Sequence, residues 1–194
     1  MNIQAALTGQ YHAALAMLRQ AIEKCPDDLW GGSPHPAGKP AGRPLPRGEE
    51  DRYGVPFWRV AYHTLFYTHL YLQQREETFR PWEHHRNDYQ DLPWPPERVR
   101  EGTLARATDD PYTKEQLLDY WRLCDAMVDA AVNGLNLDAK ESGFPWHKTI
   151  PKLEHQIHNI RHIQHHAALL SGRLRLANGA DVRWVRSNGE MYSS

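Results

Sequence analysis

The chain has 194 residues, which is enough to bury a full hydrophobic core, and we expect one domain over residues 1–194. Its 23 basic and 24 acidic side chains leave a net charge of −1, so no long-range attraction to nucleic acid or to an anionic membrane is expected. The N-terminal sequence lacks the basic start and apolar run of a signal peptide, and no segment reaches the roughly 18 apolar residues of a membrane-spanning helix. These features predict a cytoplasmic protein.

The first predicted helix covers residues 3–24. Apolar side chains recur there at steps of three and four residues, as in a helix with one buried face: Leu7, Tyr11, Leu15, Leu18 and Ile22. Pro26 then ends the helix, because the residue before a proline is displaced from helical geometry. Residues 31–55 are rich in proline, glycine and charge, so they predict a long loop within the domain, with no regular structure over 31–48.

The second predicted helix covers residues 56–75. Its sequence, FWRVAYHTLFYTHLYL, is apolar or aromatic on nearly every side, which is typical of a helix in the interior of a helical protein. Residues 76–112 combine proline, tryptophan and charge, and they predict irregular structure. Trp82, Trp94 and the pair His84–His85 in this segment either pack the loop onto the helices or line a pocket.

Two further helices are predicted, at residues 113–135 and 149–176. Thr113 and Gln116 have the spacing of a capping box, which marks a helix start. The alternating residues of 181–185 suggest a short C-terminal strand. Together these elements predict an all-α fold, an up-and-down four-helix bundle of antiparallel helices with long loops.

Histidines cluster in the last predicted helix. Five of the 12 lie within one short stretch: His155, His158, His162, His165 and His166. The i, i+4 pair His162 and His166 places two imidazoles on one face, a turn apart, where both can reach one metal ion. The alternative is a solvated polar face.

His63 strengthens the metal hypothesis, because it lies in a helix whose other residues are mostly large and apolar. By itself such a histidine is more often a hydrogen-bonded core residue than a ligand. Joined with His162 and His166, it completes three imidazoles from two packed helices, with a fourth position open to water or substrate. Other side chains predicted near this site are His158, His165, Glu154, Asp125 and Trp146.

These residues resemble the DinB-like superfamily, which includes thiol S-transferases of the bacillithiol and mycothiol type. The resemblance covers about residues 56–176 and is sharpest in FWRVAYHTLFYTHLYL and in LEHQIHNIRHIQHHAALLSGRLR. It aligns His63, His162 and His166 with the family's metal ligands, whereas Leu169 occupies a position where many relatives have glutamine. It implies a four-helix bundle, often a homodimer, that holds a divalent metal and acts on a small molecule such as a low-molecular-weight thiol.

Two functions follow as expectations. The first is a metal-dependent thiol S-transferase or hydrolase, with zinc or nickel favoured and iron or manganese also compatible with imidazole ligands. The second is a non-catalytic metal-binding or stress-response module with a structural metal. A di-iron carboxylate site is not favoured, because Glu154 is followed three residues later by Ile157 rather than histidine. The Arg161–His166 spacing found in some helical ribonucleases is a weak signal in a chain without net positive charge.

Overall fold

A computed structural model describes residues 2–31, 55–92, 110–187 and 189–190. The predicted loop over 31–48, most of 31–55, residues 93–109 and Trp94 lie outside the described residues. The helices are α1 (Ile3–Lys24), α2 (Asp27–Trp30), α3 (Phe57–Tyr71), α4 (Lys114–Gly134) and α5 (Lys152–Asn178). Short 3-10 helices cover Glu76–Thr78 and Pro145–His147. The fold is therefore all-α, as predicted, and no described helix combines the length and apolarity needed to cross a membrane.

Most helix boundaries follow the signals in the sequence. α1 has the predicted range, and the side chain of Asn2 caps it by accepting a hydrogen bond from the Ala5 amide. α4 begins with the predicted capping box, in which Thr113 and Gln116 each bond the other's backbone amide. α5 ends at Asn178, two residues later than predicted, and its C-cap is Gly179, whose φ of 75° is the left-handed conformation that glycine adopts without strain.

α3 ends at Tyr71, four residues earlier than the predicted limit of 75. The sequence after Tyr71 contains no glycine or proline that would mark this end. The reason is a tertiary contact: Lys152 and Gln156 of α5 donate hydrogen bonds to the carbonyl groups of Gln73 and Tyr71, at 2.9 and 3.0 Å. Side chains of a neighbouring helix thus satisfy groups that a continued helix would otherwise use.

The core lies between the four long helices, because α1 and α3 each pack against both α4 and α5. The buried side chains are mainly aliphatic and aromatic, and the largest of them include Trp58, Tyr62 and Tyr120. Both cysteines, Cys25 and Cys124, are free and buried.

α3 and α5 run in opposite directions. Lys152 at the start of α5 binds the chain just past the end of α3, and Arg173 near the end of α5 donates to the Val55 carbonyl just before α3, at 2.6 Å. α4 likewise runs opposite to α1, because Lys114 at the start of α4 pairs with Asp27 just past the end of α1.

α1 and α5, in contrast, run in the same direction. Tyr11 bonds Gln156, and further along both helices Gln164 donates to the sulfur of Met17. α3 and α4 therefore both run opposite to α1 and parallel to each other, so the predicted alternation of direction from one long helix to the next is wrong. The long connection between α3 and α4 explains the difference, because it can carry the chain back to the end where α3 began.

The predicted C-terminal strand over 181–185 is not observed. Gln20 of α1 takes the place of a neighbouring strand: its side-chain amide donates to the Arg183 carbonyl and accepts from the Arg183 amide, both at 3.0 Å. The Arg183 backbone is thus bound by a helix side chain, and no strand forms among the described residues of the tail.

A buried polar network joins α1 to α5. The Tyr11 hydroxyl is completely buried, donates to the Gln156 side chain at 2.7 Å and accepts from the Asn159 amide at 3.0 Å. Because water cannot replace these partners, losing the hydroxyl leaves buried polar groups unsatisfied.

We expect Tyr11→Phe to lower the free energy of unfolding by about 2 kcal/mol, because it removes one hydroxyl that satisfies two amide side chains. Urea denaturation followed by circular dichroism measures the change. Tyr67→Phe is the matched control, since the Tyr67 hydroxyl makes only a 3.4 Å contact with the exposed Asp91. We expect it to change stability by less than about 0.5 kcal/mol. Equal effects of the two substitutions would contradict the role of the network.

Candidate metal centre

His63, His162 and His166 meet between α3 and α5. One ring nitrogen from each lies within 4.8 Å of the other two. The ring centroids are 5.0 Å apart for His63 and His162, 4.8 Å for His63 and His166, and 4.6 Å for His162 and His166. The i, i+4 spacing on α5 places two of these rings on one face, and the antiparallel packing of α3 brings the third to the same level.

A hydrogen bond fixes the tautomer of His63. Its Nδ1 lies 2.6 Å from the Gln90 carbonyl oxygen, and a carbonyl can only accept, so Nδ1 carries the proton. The lone pair of the neutral ring is therefore on Nε2, which lies 3.0 Å from Nε2 of His162. Metal-binding histidines are commonly oriented in this way, by a carbonyl that accepts from the nitrogen opposite the metal.

All three imidazoles are held in the neutral form. Burial lowers the pKa of His63 to about 4, and it lowers the pKa of His162 and His166 well below the usual histidine value. The neighbouring imidazoles lower the pKa of His162 and His166 further. Neutral imidazole is the form that binds metal, so no proton has to leave the centre at pH 7 before an ion enters.

The three residues lie close enough together to hold a divalent metal, with one nitrogen of each within 4.8 Å of the others. A tetrahedral zinc ion with nitrogen ligands at about 2.0–2.1 Å would hold two of them about 3.3 Å apart. The observed separation of the Nε2 atoms of His63 and His162 is 3.0 Å, close to this value. In addition, Nδ1 of His162 and Nδ1 of His166 are buried without a hydrogen-bond partner among the described residues.

A cavity of about 620 Å³ opens beside the histidines. α3 contributes Tyr67 and Tyr71 to its wall, the 3-10 helix contributes Trp146 and His147, and α5 contributes His158. His63 and His162 also line this cavity, so the candidate metal centre and the cavity share two residues. A small molecule in the cavity would therefore lie next to the metal ligands.

The predicted neighbours of the site fall into two groups. His158 and Trp146 line the cavity. Asp125 lies elsewhere and accepts a 2.7 Å hydrogen bond from His12, while Glu154 and His165 are exposed on α5. The ring of His165 lies beside one of the three histidines, with its centroid 5.1 Å from that of His166.

Sequence reasoning missed three cavity residues, Tyr67, Tyr71 and His147. The two tyrosines follow His63 by four and eight residues, so helical spacing alone places them on its face of α3. His147 follows Trp146 directly in the chain. It lies in a predicted loop, where no helical spacing indicates which side chains face the same way.

Among the described residues of the connection after α3, Trp82 and His85 pack onto the helices, and neither lines the cavity. Trp82 is buried and stacks on Tyr120, with an interplanar angle of 4°. A hydrogen bond of 2.6 Å joins the His85 ring to the Tyr62 hydroxyl, and His84 is exposed. These contacts favour the loop-packing interpretation of this segment over a pocket wall.

Three neutral nitrogen ligands would leave the full charge of a divalent ion available to an incoming anion. No protein-family model matches the chain, and no curated protein or solved structure matches it. The geometry of the histidines and the adjoining cavity is therefore what supports a metal centre.

A further histidine of α5, His155, lies behind the cavity wall. It is completely buried between Tyr71 and Phe144, whose ring centroids are 4.5 and 4.9 Å away. Neither of its ring nitrogens has a hydrogen-bond partner among the described residues. Burial, together with the nearby Lys152, lowers its pKa to about 3.

We expect His155 to make the stability of the protein sensitive to acid. An unfolded imidazole titrates near pH 6.5, so the stability present above that pH is lost as the pH falls toward about 3, the folded pKa. We expect His155→Phe to reduce the loss of unfolding free energy between pH 7.5 and pH 5 by about 2 kcal/mol. Urea titrations with a chelator present, at both pH values, measure this difference.

Ile157→Phe is the control, because it places a phenylalanine at an exposed position of the same helix without removing an imidazole. It should keep the wild-type pH dependence. A His155→Phe protein that loses as much stability in acid as the wild type would show that His155 does not carry the effect.

Proposed function

We propose that His63, His162 and His166 hold one divalent metal ion and that the chain is a metal-dependent thiol S-transferase or hydrolase acting on a small molecule. One observation carries the proposal: three neutral imidazoles converge at the wall of a cavity of small-molecule size. Zinc and nickel are the favoured ions, because both bind imidazole well.

The number of protein ligands favours a catalytic metal over a structural one. Structural zinc sites are closed by four protein ligands, whereas catalytic sites keep a position open. In the part of the chain that the structure describes, the group contains three residues and no further cysteine, histidine, aspartate or glutamate. The adjoining cavity gives substrate a route to the open position.

The thiol follows from the resemblance to the DinB-like superfamily. The observed helix directions also allow the four long helices to be a four-helix bundle with a long crossover connection, which we propose as the fold. A cytoplasmic location and a homodimer belong to the same proposal.

The side chains of the cavity have separate roles in this proposal. A bound divalent ion supplies a Lewis acid that lowers the pKa of a thiol or water and polarises the second substrate. Tyr67, Tyr71 and Trp146 exclude water from the reacting groups, which strengthens electrostatic interactions. Burial lowers the pKa of His158, so this imidazole lies in the wall uncharged and can accept a proton.

We expect zinc affinity to fall by at least about 100-fold in His63→Ala, His162→Ala and His166→Ala, because each removes one of three ligands. Competition with a chromophoric chelator measures the affinity of protein purified without nickel resin. His165→Ala is the matched control: it removes an exposed imidazole adjacent to His166 in the chain and should retain zinc within about threefold.

Equal zinc affinity in the ligand variants and in His165→Ala would refute the centre. Circular dichroism of each variant checks that the helices remain folded. A variant that keeps its helical signal and loses zinc assigns the loss to the ligand.

The thiol step is tested with cobalt in place of zinc. We expect low-molecular-weight thiols to produce a sulfur-to-cobalt charge-transfer band in the near-ultraviolet spectrum, because the open position accepts an anion. His162→Ala should lose both the cobalt and the band. If cobalt binds and no thiol changes its spectrum, the thiol transferase assignment fails and a structural metal becomes the better account.

A further inference from the structure

We infer that the substrate of this site carries an aromatic ring, which binds between Trp146 and the tyrosines of α3 with its reactive group toward His63 and His162. The inference rests on the proposed function for the position of the reactive group. The position of the substrate's aromatic ring is inferred separately, from the residues that line the cavity.

The wall of the cavity is aromatic and carries no formal charge. Beyond the two metal ligands, its described residues are two tyrosines, one tryptophan and two histidines, without a carboxylate, lysine or arginine: Tyr67, Tyr71, Trp146, His147 and His158. Such a wall offers ring faces and edges to a ligand and no ion pair. Aromatic rings bind one another through offset or edge-to-face contacts, so a planar ring is the group that this wall recognises best.

Trp146 is both exposed and fixed in place. Its side chain is 49% exposed, although an indole normally gains stability from burial. Its Nε1 nevertheless donates a 3.0 Å hydrogen bond to the Tyr71 hydroxyl, and its ring packs 5.8 Å from that of Phe144. The protein thus holds a large aromatic surface open at the cavity instead of folding it into the core, which is a property of ligand-binding surfaces.

The dimensions of the cavity limit the ligand. Its volume of about 620 Å³ lies within the roughly 300–1,000 Å³ of small-molecule sites. His63 and His162 line the same cavity and belong to the candidate metal centre, so a ring held by the aromatic wall places its substituent at the metal ligands. An aryl-bearing thiol satisfies both requirements.

The test compares phenylmethanethiol with cyclohexylmethanethiol, which have the same carbon skeleton and differ in aromaticity. We expect calorimetry on the zinc-loaded full chain to show about five- to tenfold tighter binding of the phenyl compound, the range expected for aromatic stacking. In Trp146→Leu this preference should fall below about twofold while zinc affinity stays unchanged. Trp184→Leu, which removes another exposed tryptophan (55% exposed) away from the cavity, should keep the preference.

Equal affinity for the two thiols in the wild type, or a preference that survives in Trp146→Leu, would overturn the inference. A second pair, phenylmethanol and cyclohexylmethanol, is titrated into the zinc-free chain and followed by NMR. If zinc does not bind, the proposed function fails and this pair alone decides the inference. Preference for the phenyl alcohol that depends on Trp146 supports it, and equal binding of the two alcohols contradicts it.

Discussion

The first turns of α5 carry polar side chains that bind carbonyl groups at the end of α3 and just past it. Lys152 and Gln156 reach the carbonyls of Gln73 and Tyr71, and the completely buried Gln156 side chain also accepts from Tyr11 of α1. A slip of α5 by one helical turn would leave several of these groups buried without partners, at about 1–3 kcal/mol each. An apolar interface would tolerate such a slip far better. The polar contacts therefore set the register of α5 on α3, and that register brings His162 and His166 level with His63.

A second constraint acts on His63 from the loop after α3. Arg59, one turn before His63, donates a 3.2 Å hydrogen bond to the Asp88 carbonyl, while the Gln90 carbonyl accepts from His63 Nδ1. Asp88 adopts a φ of 69°, a left-handed conformation that costs most residues energy and that aspartate tolerates better than most. The loop is thus held to α3 at two points, the carbonyls of Asp88 and Gln90, and the left-handed conformation of Asp88 turns the chain just before Gln90 meets the imidazole. The orientation of His63 depends on this loop as much as on its own helix.

The features that could be predicted from the sequence are those that depend on residues close together in the chain. Helical periodicity gave the long helices, and the i, i+4 rule placed His162 and His166 on one face. The early end of α3 was missed because it depends on Lys152 and Gln156, which lie far away in the chain. The parallel direction of α3 and α4 was missed for a similar reason: periodicity defines a helix and its buried face, but the path of a long connection decides its direction. Asp125 was predicted to lie near the site, whereas tertiary packing pairs it with His12.

The burial that keeps these histidines neutral also opposes stability. Nδ1 of His162 and of His166 has no partner in the described part of the chain, and unsatisfied buried nitrogens are unfavourable by about 1–3 kcal/mol. Apolar side chains at these positions would pack against the same neighbours without that penalty. Burial alone therefore does not account for imidazoles at 162 and 166, and the metal-binding role that we propose for them would account for their convergence on His63. An ion that binds only the folded chain would return stability in proportion to its affinity, so the same burial couples the centre to the packing of α5 on α3.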